Sequence, residues 1–444
     1  MRVFSTQNNT NVAAYGNNIA NINCPKYSFS KKYCCDIASE NVLYDNASFT
    51  QLVHFLSVKN VRSQLYKNAS TNTENNGASY SFSDNLRQEA IQDGINYEFF
   101  VRVVLAGLEI IRLLHVQHPL LYESFGIGAG GDCSSGADLL AEAIFRKFLL
   151  PIYSIDSEES GFLRSDVQSP YTIVLDPLDG SSNFKSNIPY YGASLALCDA
   201  NGRVCEACVI NYVSREISYL NDRLLTIVSN PCVFMLDSTR FYVPFESLDS
   251  DNKTSSRSNS SYSLPYQPID FSSLFHRQFS NDSSSDSYAT IKQMCNTIME
   301  TQTYLPLFNQ DLMQLLFQHK VITCRFEPNY AYPVLECGIF EKASHHPDLV
   351  ALLLECGLKF RSLGATALSL GFSFRYLFVL LPSSVRKYDG MAGFYLAQNQ
   401  NIKGNINEYL QAIPSMKKYF DNQRYIIISV NSQIVDTLSN AVIH

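Results

Sequence analysis

The sequence predicts a mixed α/β (α+β) fold, and three observations carry that prediction. Two short β-branched runs, YSIDSEESG and YTIVLDPLDG, each end in acidic residues as strands that stop at a turn. Two stretches with helical patterning, FFVRVVLAGLEIIRLL and LLAEAIFRKFLL, precede them. Helix and strand patterns then return together after Thr290. At 444 residues the chain is long enough for one large core or for two to three domains.

Taken in order, residues 1–90 form a polar N-terminal extension rich in Asn, Ser and Tyr, with one modest apolar segment, Phe49 to Val58, that suits a helix. A stronger helix runs from Tyr97 to about His115. GIGAGGDCSSGAD, Gly126 to Asp138, reads as a flexible loop that ends in a helix cap at Ser134 or Ser135. The helix that follows separates Glu142, Arg146 and Lys147 from Leu139, Ala143, Ile144 and Phe148. After the two acid-tipped strands, Tyr191 to Leu197 and Val204 to Ile210 read as a hairpin whose DANG turn carries an Asn201-Gly202 pair suited to positive φ, and REISYL adds a further strand. The domain reading is an α+β catalytic half over 91–220, an insertion with Ser-rich segments over 221–320, a C-terminal α/β half over 321–430 and a tail over 431–444. Within that C-terminal half YAYPVLECGIF is strand-like, HPDLVALLLECGL is a helix with Pro347 near its start, and KYDGMAGFYLAQNQ places a carboxylate at a helix start.

Composition excludes several function classes. The formal net charge is −7, charged residues make up 17%, and no stretch interleaves Lys/Arg with aromatics as a nucleic-acid groove does, so no nucleic-acid polymer is expected as partner. No apolar run reaches the roughly eighteen residues of a membrane-crossing helix, and no membrane partner is expected. The Met1 end turns polar before a signal-peptide core forms, and the 12 cysteines are scattered, which suits reduced thiols in a cytoplasmic protein. The Cys205-x-x-Cys208 pair lacks a second pair, so a structural zinc site is not expected.

The chemistry lies in the acidic positions: Asp138 after the glycine-rich loop, Glu158 and Glu159 after one strand, Asp176 and Asp179 at the end of the next, and Asp389 before Gly-Met-Ala-Gly. An all-oxygen set of this kind favours Mg2+ over Zn2+. Pro177 is expected to bend the Asp-x-x-Asp segment out of its ladder so that both side chains and the Leu178 carbonyl converge. Gly180-Ser181-Ser182-Asn183 can then offer backbone N–H groups to a phosphate. Arg386 and Lys387 have two readings: they attract a phosphorylated substrate, or they offset the carboxylates beside them.

These segments resemble the inositol monophosphatase family, within the lithium-sensitive, metal-dependent phosphatase superfamily that includes fructose-1,6-bisphosphatases. The family's Asp-Pro-Ile/Leu-Asp-Gly-Thr/Ser segment is matched by Asp176-Pro177-Leu178-Asp179-Gly180-Ser181, its Glu-Glu-Ser by Glu158-Glu159-Ser160, and its Trp-Asp-x-Ala-Ala/Gly, in altered form, by Tyr388-Asp389-Gly390-Met391-Ala392-Gly393. The match covers about Tyr97 to Val213 and Tyr330 to Gly404. Three departures stand out. Ser181-Ser182-Asn183 is closer to fructose-bisphosphatases, Pro382 stands where the family has a substrate-binding Glu, and Tyr388 replaces the Trp.

The resemblance implies a layered α/β/α/β/α sandwich. It also implies catalytic Mg2+ held by Glu158, Asp176, the Leu178 carbonyl, Asp179 and Asp389, with Asp138 and Ser181 orienting the attacking water or, for Asp138, a third metal. Gly180, Ser181 and Ser182 would receive phosphate, Gly364 and Ala365 would line the alcohol side, and Arg386 would contact substrate. The implied activity is a Mg2+-dependent phosphomonoesterase that hydrolyses a small sugar or inositol phosphate by metal-activated water. Fructose-1,6-bisphosphatase or nucleotide 3'-phosphatase activity is the alternative within that chemistry. A catalytically weakened ligand-binding member is the alternative outside it. Family members commonly dimerise, so a homodimer is compatible with the resemblance, and the extra terminus and insertion offer material that could cover that interface.

Overall fold

The computed structural model describes residues 97–226, 228–240, 268–276, 287–301, 312, 315–317, 319–326, 335–382, 385–404, 419–420 and 425–442. The helix expected at Phe49 to Val58 lies outside these residues, as do the Ser-rich stretches 248–267 and 277–286.

Helix α1 (Glu98–His115) is buried along most of its length, with Glu98 in its first turn and Arg112 and His115 in its last, the charge order that the helix dipole favours. The glycine-rich stretch expected as a loop is instead a small hairpin: β1 (Ser124–Ile127) pairs antiparallel with β2 (Cys133–Ser135) around a glycine turn. Glycine density hid the strands, because two short pairings suffice to order this turn. Helix α2 (Gly136–Leu149) is capped by Ser135, the second of the two expected serines, whose Oγ accepts the Asp138 N–H at 3.3 Å while its own N–H donates to Asp138 Oδ2 at 2.6 Å.

The chain then lays down β3 (Ser154–Ser157), β4 (Gly161–Leu163), β5 (Thr172–Asp179), the short helix α3 (Ser181–Lys185), β6 (Gly192–Cys198), β7 (Val204–Asn211), β8 (Glu216–Asn221) and β9 (Cys232–Leu236). Helices α4 (Phe271–His276) and α5 (Ser287–Glu300) and strand β10 (Ile322–Phe326) follow. These eight strands form one sheet in the order β10-β9-β8-β7-β6-β5-β3-β4, in which β3 and β5 run parallel and the other neighbours antiparallel. The β6–β7 hairpin forms where DANG predicted it, although among the described residues of that turn only Gly202 has positive φ; Asp199 Oδ1 holds the turn by accepting the N–H groups of Asn201 and Arg203. The stretch 221–320 thus adds β9, which pairs with β8 and with the edge strand β10, and packs α5 on α2 through Ile291, Met294 and Ile298.

The remaining elements are β11 (Cys337–Phe340), α6 (Pro347–Glu355), β12 (Lys359–Arg361), α7 (Thr366–Gly371), β13 (Val379–Pro382), β14 (Val385–Arg386), α8 (Lys387–Ala397), β15 (Asn401–Lys403), β16 (Tyr419–Phe420), β17 (Tyr425–Ser429) and α9 (Ser432–Val442). They build a five-stranded sheet, β12-β11-β13-β17-β15, and a β14–β16 pair. The stretch 431–444, set apart as a tail, contains α9, because Ile434, Val435 and Leu438 share one helix face and bury it.

Alternation along the strands explains the layering. In β7, Ile210 abuts Gly107 of α1 while Val209 abuts Gly371 of α7, so adjacent residues meet helices on opposite faces. In the second sheet, Phe340, Leu380 and Ile427 pack with α6 and α9, whereas Ile339, Val379, Leu381, Ile426 and Ile428 pack with Leu370 of α7 and Phe394 of α8. The order of layers is therefore helices α1 and α2, first sheet, helices α7 and α8, second sheet, helices α6 and α9, as expected. Among the described residues no helix is long and apolar enough to cross a membrane.

Candidate metal centre

The end of β5 is where the ladder breaks. Asp176 is opposite Ser194 and Asp179 is opposite Gly192, so three steps on β5 answer two on β6, which is a one-residue bulge. In an unbroken strand two residues three apart point to opposite faces; the extra residue returns Asp179 to the side of Asp176. Both are buried. Asp176 Oδ1 accepts the Leu178 N–H at 2.9 Å, and Asp179 Oδ2 accepts the Leu368 N–H of α7 at 3.2 Å. Gly180 then takes φ +83°, and a Cβ there would lie 3.0 Å from the Tyr190 oxygen and 3.1 Å from the Ala365 Cβ. This turn starts α3 and brings Gly180 against Ala365.

The parallel pairing of β3 with β5 delivers Glu158 to the same end of the sheet, with its N–H donating to the Leu175 oxygen at 2.9 Å. The β1–β2 turn closes over it: the Gly130 N–H donates to the Glu158 oxygen at 2.6 Å, and the Ala129 N–H donates to the Glu159 oxygen at 3.0 Å. Helix α8 brings Asp389 in its first turn. Carboxylate oxygens of Glu158, Asp176 and Asp389 come within 4.8 Å of one another, and all three residues are buried. Among the described residues this is the one group of three or more potential metal-ligating side chains. Trans oxygens around octahedral Mg2+ are about 4.2 Å apart, so small inward shifts fit three such oxygens to one divalent ion. The hard donor set fits as well; which ion it takes is a separate matter.

Concentrated buried charge has its electrostatic signature. Burial first, then Glu158, raises Asp176 well above the usual carboxylate range; burial and then Asp389 do the same to Asp179. Burial, with Asp389 next, pushes Glu158 up to about 7. A bound cation would reverse these shifts.

At the start of α8, Arg386 and Lys387 both sit on carboxylates. The Arg386 guanidinium donates from Nε to Asp389 Oδ2 and from Nη2 to Asp389 Oδ1, each at 2.9 Å, and from Nη1 to Asp132 at 2.6 Å and to Glu158. Lys387 is buried and pairs with Asp156, whose other oxygen accepts the Tyr388 hydroxyl at 3.2 Å. Tyr388, standing where the resemblance has Trp, thus ties the α8 start to β3.

The other expected residues fall in two places. Asp138 is held by its cap and pushed up to about 6 by burial, beside Glu159, which burial and then Asp138 push up to about 8. Ser134 donates to that Glu159 carboxylate. Ser181 is half-buried and Ser182 exposed at the start of α3, whose first intrahelical bond is the Phe184 N–H to the Gly180 oxygen, leaving the preceding amides without helical partners. Gly364, at φ +75°, donates its N–H to Glu341 at 2.9 Å, and Asn183 Nδ2 spans the two walls by donating to both the Leu363 and Tyr190 oxygens at 2.7 Å. Glu341 escaped the sequence reading; Asp132 and Asp156 lay inside quoted segments without a role, Asn183 was expected only to offer its backbone N–H, and Lys387 was read as attracting substrate or offsetting a carboxylate without Asp156 as its partner.

No protein-family model matches the chain. It is 42% identical over 76 residues to a fructose-1,6-bisphosphatase/inositol-1-monophosphatase of Thermococcus kodakarensis, a match that covers 17% of this chain and 29% of that one. It is 33% identical over 107 residues to an inositol-1-monophosphatase of Rhizobium meliloti, covering 22% and 40%. The chain thus spans well under half the length of these curated relatives. In fold it is similar to the crystal structure of Leishmania major fructose-1,6-bisphosphatase in holo form, with a TM-score of 0.50, 12% identity, and coverage of 79% of this chain and 96% of that one.

Proposed function

We propose that this chain, a member of the superfamily that joins inositol monophosphatases and fructose-1,6-bisphosphatases, is a Mg2+-dependent phosphomonoesterase acting on a small sugar or inositol phosphate. The observation that carries the reading is the convergence of buried Glu158, Asp176 and Asp389 from three separate segments, with Asp179 returned to their side by the β5 bulge.

Glu158, Asp176, the Leu178 carbonyl, Asp179 and Asp389 would hold the ions, which when bound supply positive charge at the phosphoryl group and lower the pKa of nearby water. Asp138 would orient that water or a third metal, and Ser181 would hydrogen-bond the water through its hydroxyl. Backbone N–H groups of Gly180, Ser181 and Ser182 face the phosphate, positioned by the αL turn at Gly180. Gly364 and Ala365 line the alcohol side, supported from beneath by Glu341 and Asn183. No side chain need become phosphorylated.

The test is inorganic phosphate release from a panel of inositol, sugar and nucleotide monophosphates. Fructose 1,6-bisphosphate is included because the Thermococcus relative is named for both activities. Turnover that requires Mg2+, stops with EDTA and is lost in Asp176→Asn and Asp389→Asn is the expected result. Folded protein that releases no phosphate from any compound would sink the proposal.

A further inference from the structure

Both oxygens of Asp389 are taken by one side chain. Arg386 grips them with Nε and Nη2, and Nη1 reaches Glu158, so two of the three carboxylates that could share a metal are already neutralised from within the chain. An Mg2+ ion bound to an Asp389 oxygen would sit about 2.1 Å from it. The guanidinium nitrogens lie 2.9 Å from the same oxygens, so the two cations would stand within roughly 5 Å of each other in a buried site where like charges are poorly screened. The oxygens cannot serve both well.

The surroundings give the guanidinium somewhere to go. Its third partner, Asp132, is 75% exposed and lies on the β1–β2 turn, on the solvent side of the cluster, while Arg386 itself keeps 15% of its side chain exposed. Lys387 contrasts with it. That ammonium is buried on Asp156, which belongs to no group of three or more potential ligands among the described residues.

We propose that Arg386 is an exchangeable internal counter-cation. It holds Asp389 and Glu158 together in the metal-free protein and withdraws towards Asp132 as a divalent ion enters, so the chain sets its metal affinity by competition. The proposal rests on the metal-centre reading above. It makes Arg386 a positioning residue whose primary effect is on metal affinity.

The experiment is calorimetric titration of Mn2+ into EDTA-treated, desalted wild-type protein and Arg386→Met. The variant is expected to bind about tenfold more tightly, equivalent to removing about 1.4 kcal/mol of competition, and its metal-free form to melt at a lower temperature. Arg386→Lys, which keeps the charge and loses the two-pronged grip, should fall between. Equal or weaker binding by Arg386→Met overturns the proposal.

Should that variant not fold, wild-type protein serves: phenylglyoxal labelling of Arg386, read by peptide mass spectrometry, is expected to accelerate severalfold when Mg2+ saturates the protein. Labelling that stays constant or slows while calorimetry shows Mg2+ bound also overturns it. If neither Mn2+ nor Mg2+ binds the folded wild-type protein, the metal-centre reading falls and this proposal falls with it.

Discussion

The end of β5 and the start of α8 both put buried carboxylates into one cluster, but they satisfy them differently. At β5, Asp176 and Asp179 are held by backbone N–H groups, from Leu178 and Leu368, and among the described residues neither forms an ion pair with a cation. At α8, Asp389 is gripped by Arg386, and the next residue, Lys387, neutralises Asp156 across on β3. Backbone dipoles position a carboxylate without cancelling its charge, so the β5 pair stays in demand of a metal; an ion pair cancels it and can instead lock a segment in place. One end of the site supplies charge, and the other supplies geometry.

The largest expected effect comes from removing charge at the β5 end. Asp176→Asn keeps the shape and the Leu178 contact but withdraws a shared ligand, and the phosphate-release rate should fall about a thousandfold, equivalent to roughly 4 kcal/mol in the barrier. Its urea midpoint in EDTA should not fall, since burying one charge less relieves repulsion. Loss of stability with activity retained would reverse the roles assigned to the two ends.

Breaking the geometry at the α8 end should do the opposite. Lys387→Met leaves Asp156 buried with the Tyr388 hydroxyl but without its bonded cation, which should cost about 3 kcal/mol in urea unfolding, and adding Asp156→Asn should recover much of it. Additive losses in that double variant would mean that the pair does not act as a unit.

Between the two ends, Gly180→Ala forces a Cβ into a positive-φ turn, 3.0 Å from the Tyr190 oxygen. A loss of about 1–2 kcal/mol is expected, with phosphate affinity reduced more than metal affinity. Equal losses of both would merge the phosphate cradle with the metal end.

The smallest effect is a slope against pH. Burial, followed by the nearby Asp138 carboxylate, raises Glu159 from an ordinary 4.5 to about 8, so over that interval the native protein holds a proton that the unfolded chain has released. Stability from this group is full below about 4.5 and is lost as pH rises through about 8. In EDTA the melting temperature should therefore decline by roughly a few degrees across that window, and Glu159→Gln should flatten the decline.

Local features were legible in the sequence and long-range ones were not. The β-branched run before Asp176, the capping serine before Asp138 and the carboxylate in the first turn of α8 each follow from patterns within a few residues. The β5 bulge was half visible: Pro177 signalled a broken ladder, but its one-residue size depends on β6 as partner. Arg386 reaching Glu158 spans 228 positions, and Asn183 reaching Leu363 spans 180; periodicity holds no trace of such pairings. The sequence offered two readings of Arg386 and Lys387, and only the fold could bring each onto a carboxylate. The GIGAGGD stretch misled in another way, because glycines that permit a loop also permit the tight hairpin turn that lies over Glu158.

The central claim is that the buried carboxylates form a metal centre, and calorimetric titration of Mg2+ into metal-free wild-type protein and Asp176→Asn tests it most directly. Saturable binding in the wild type that disappears in the folded variant is the predicted result. Binding that is absent from the folded wild type, or identical in the two proteins, would contradict the account.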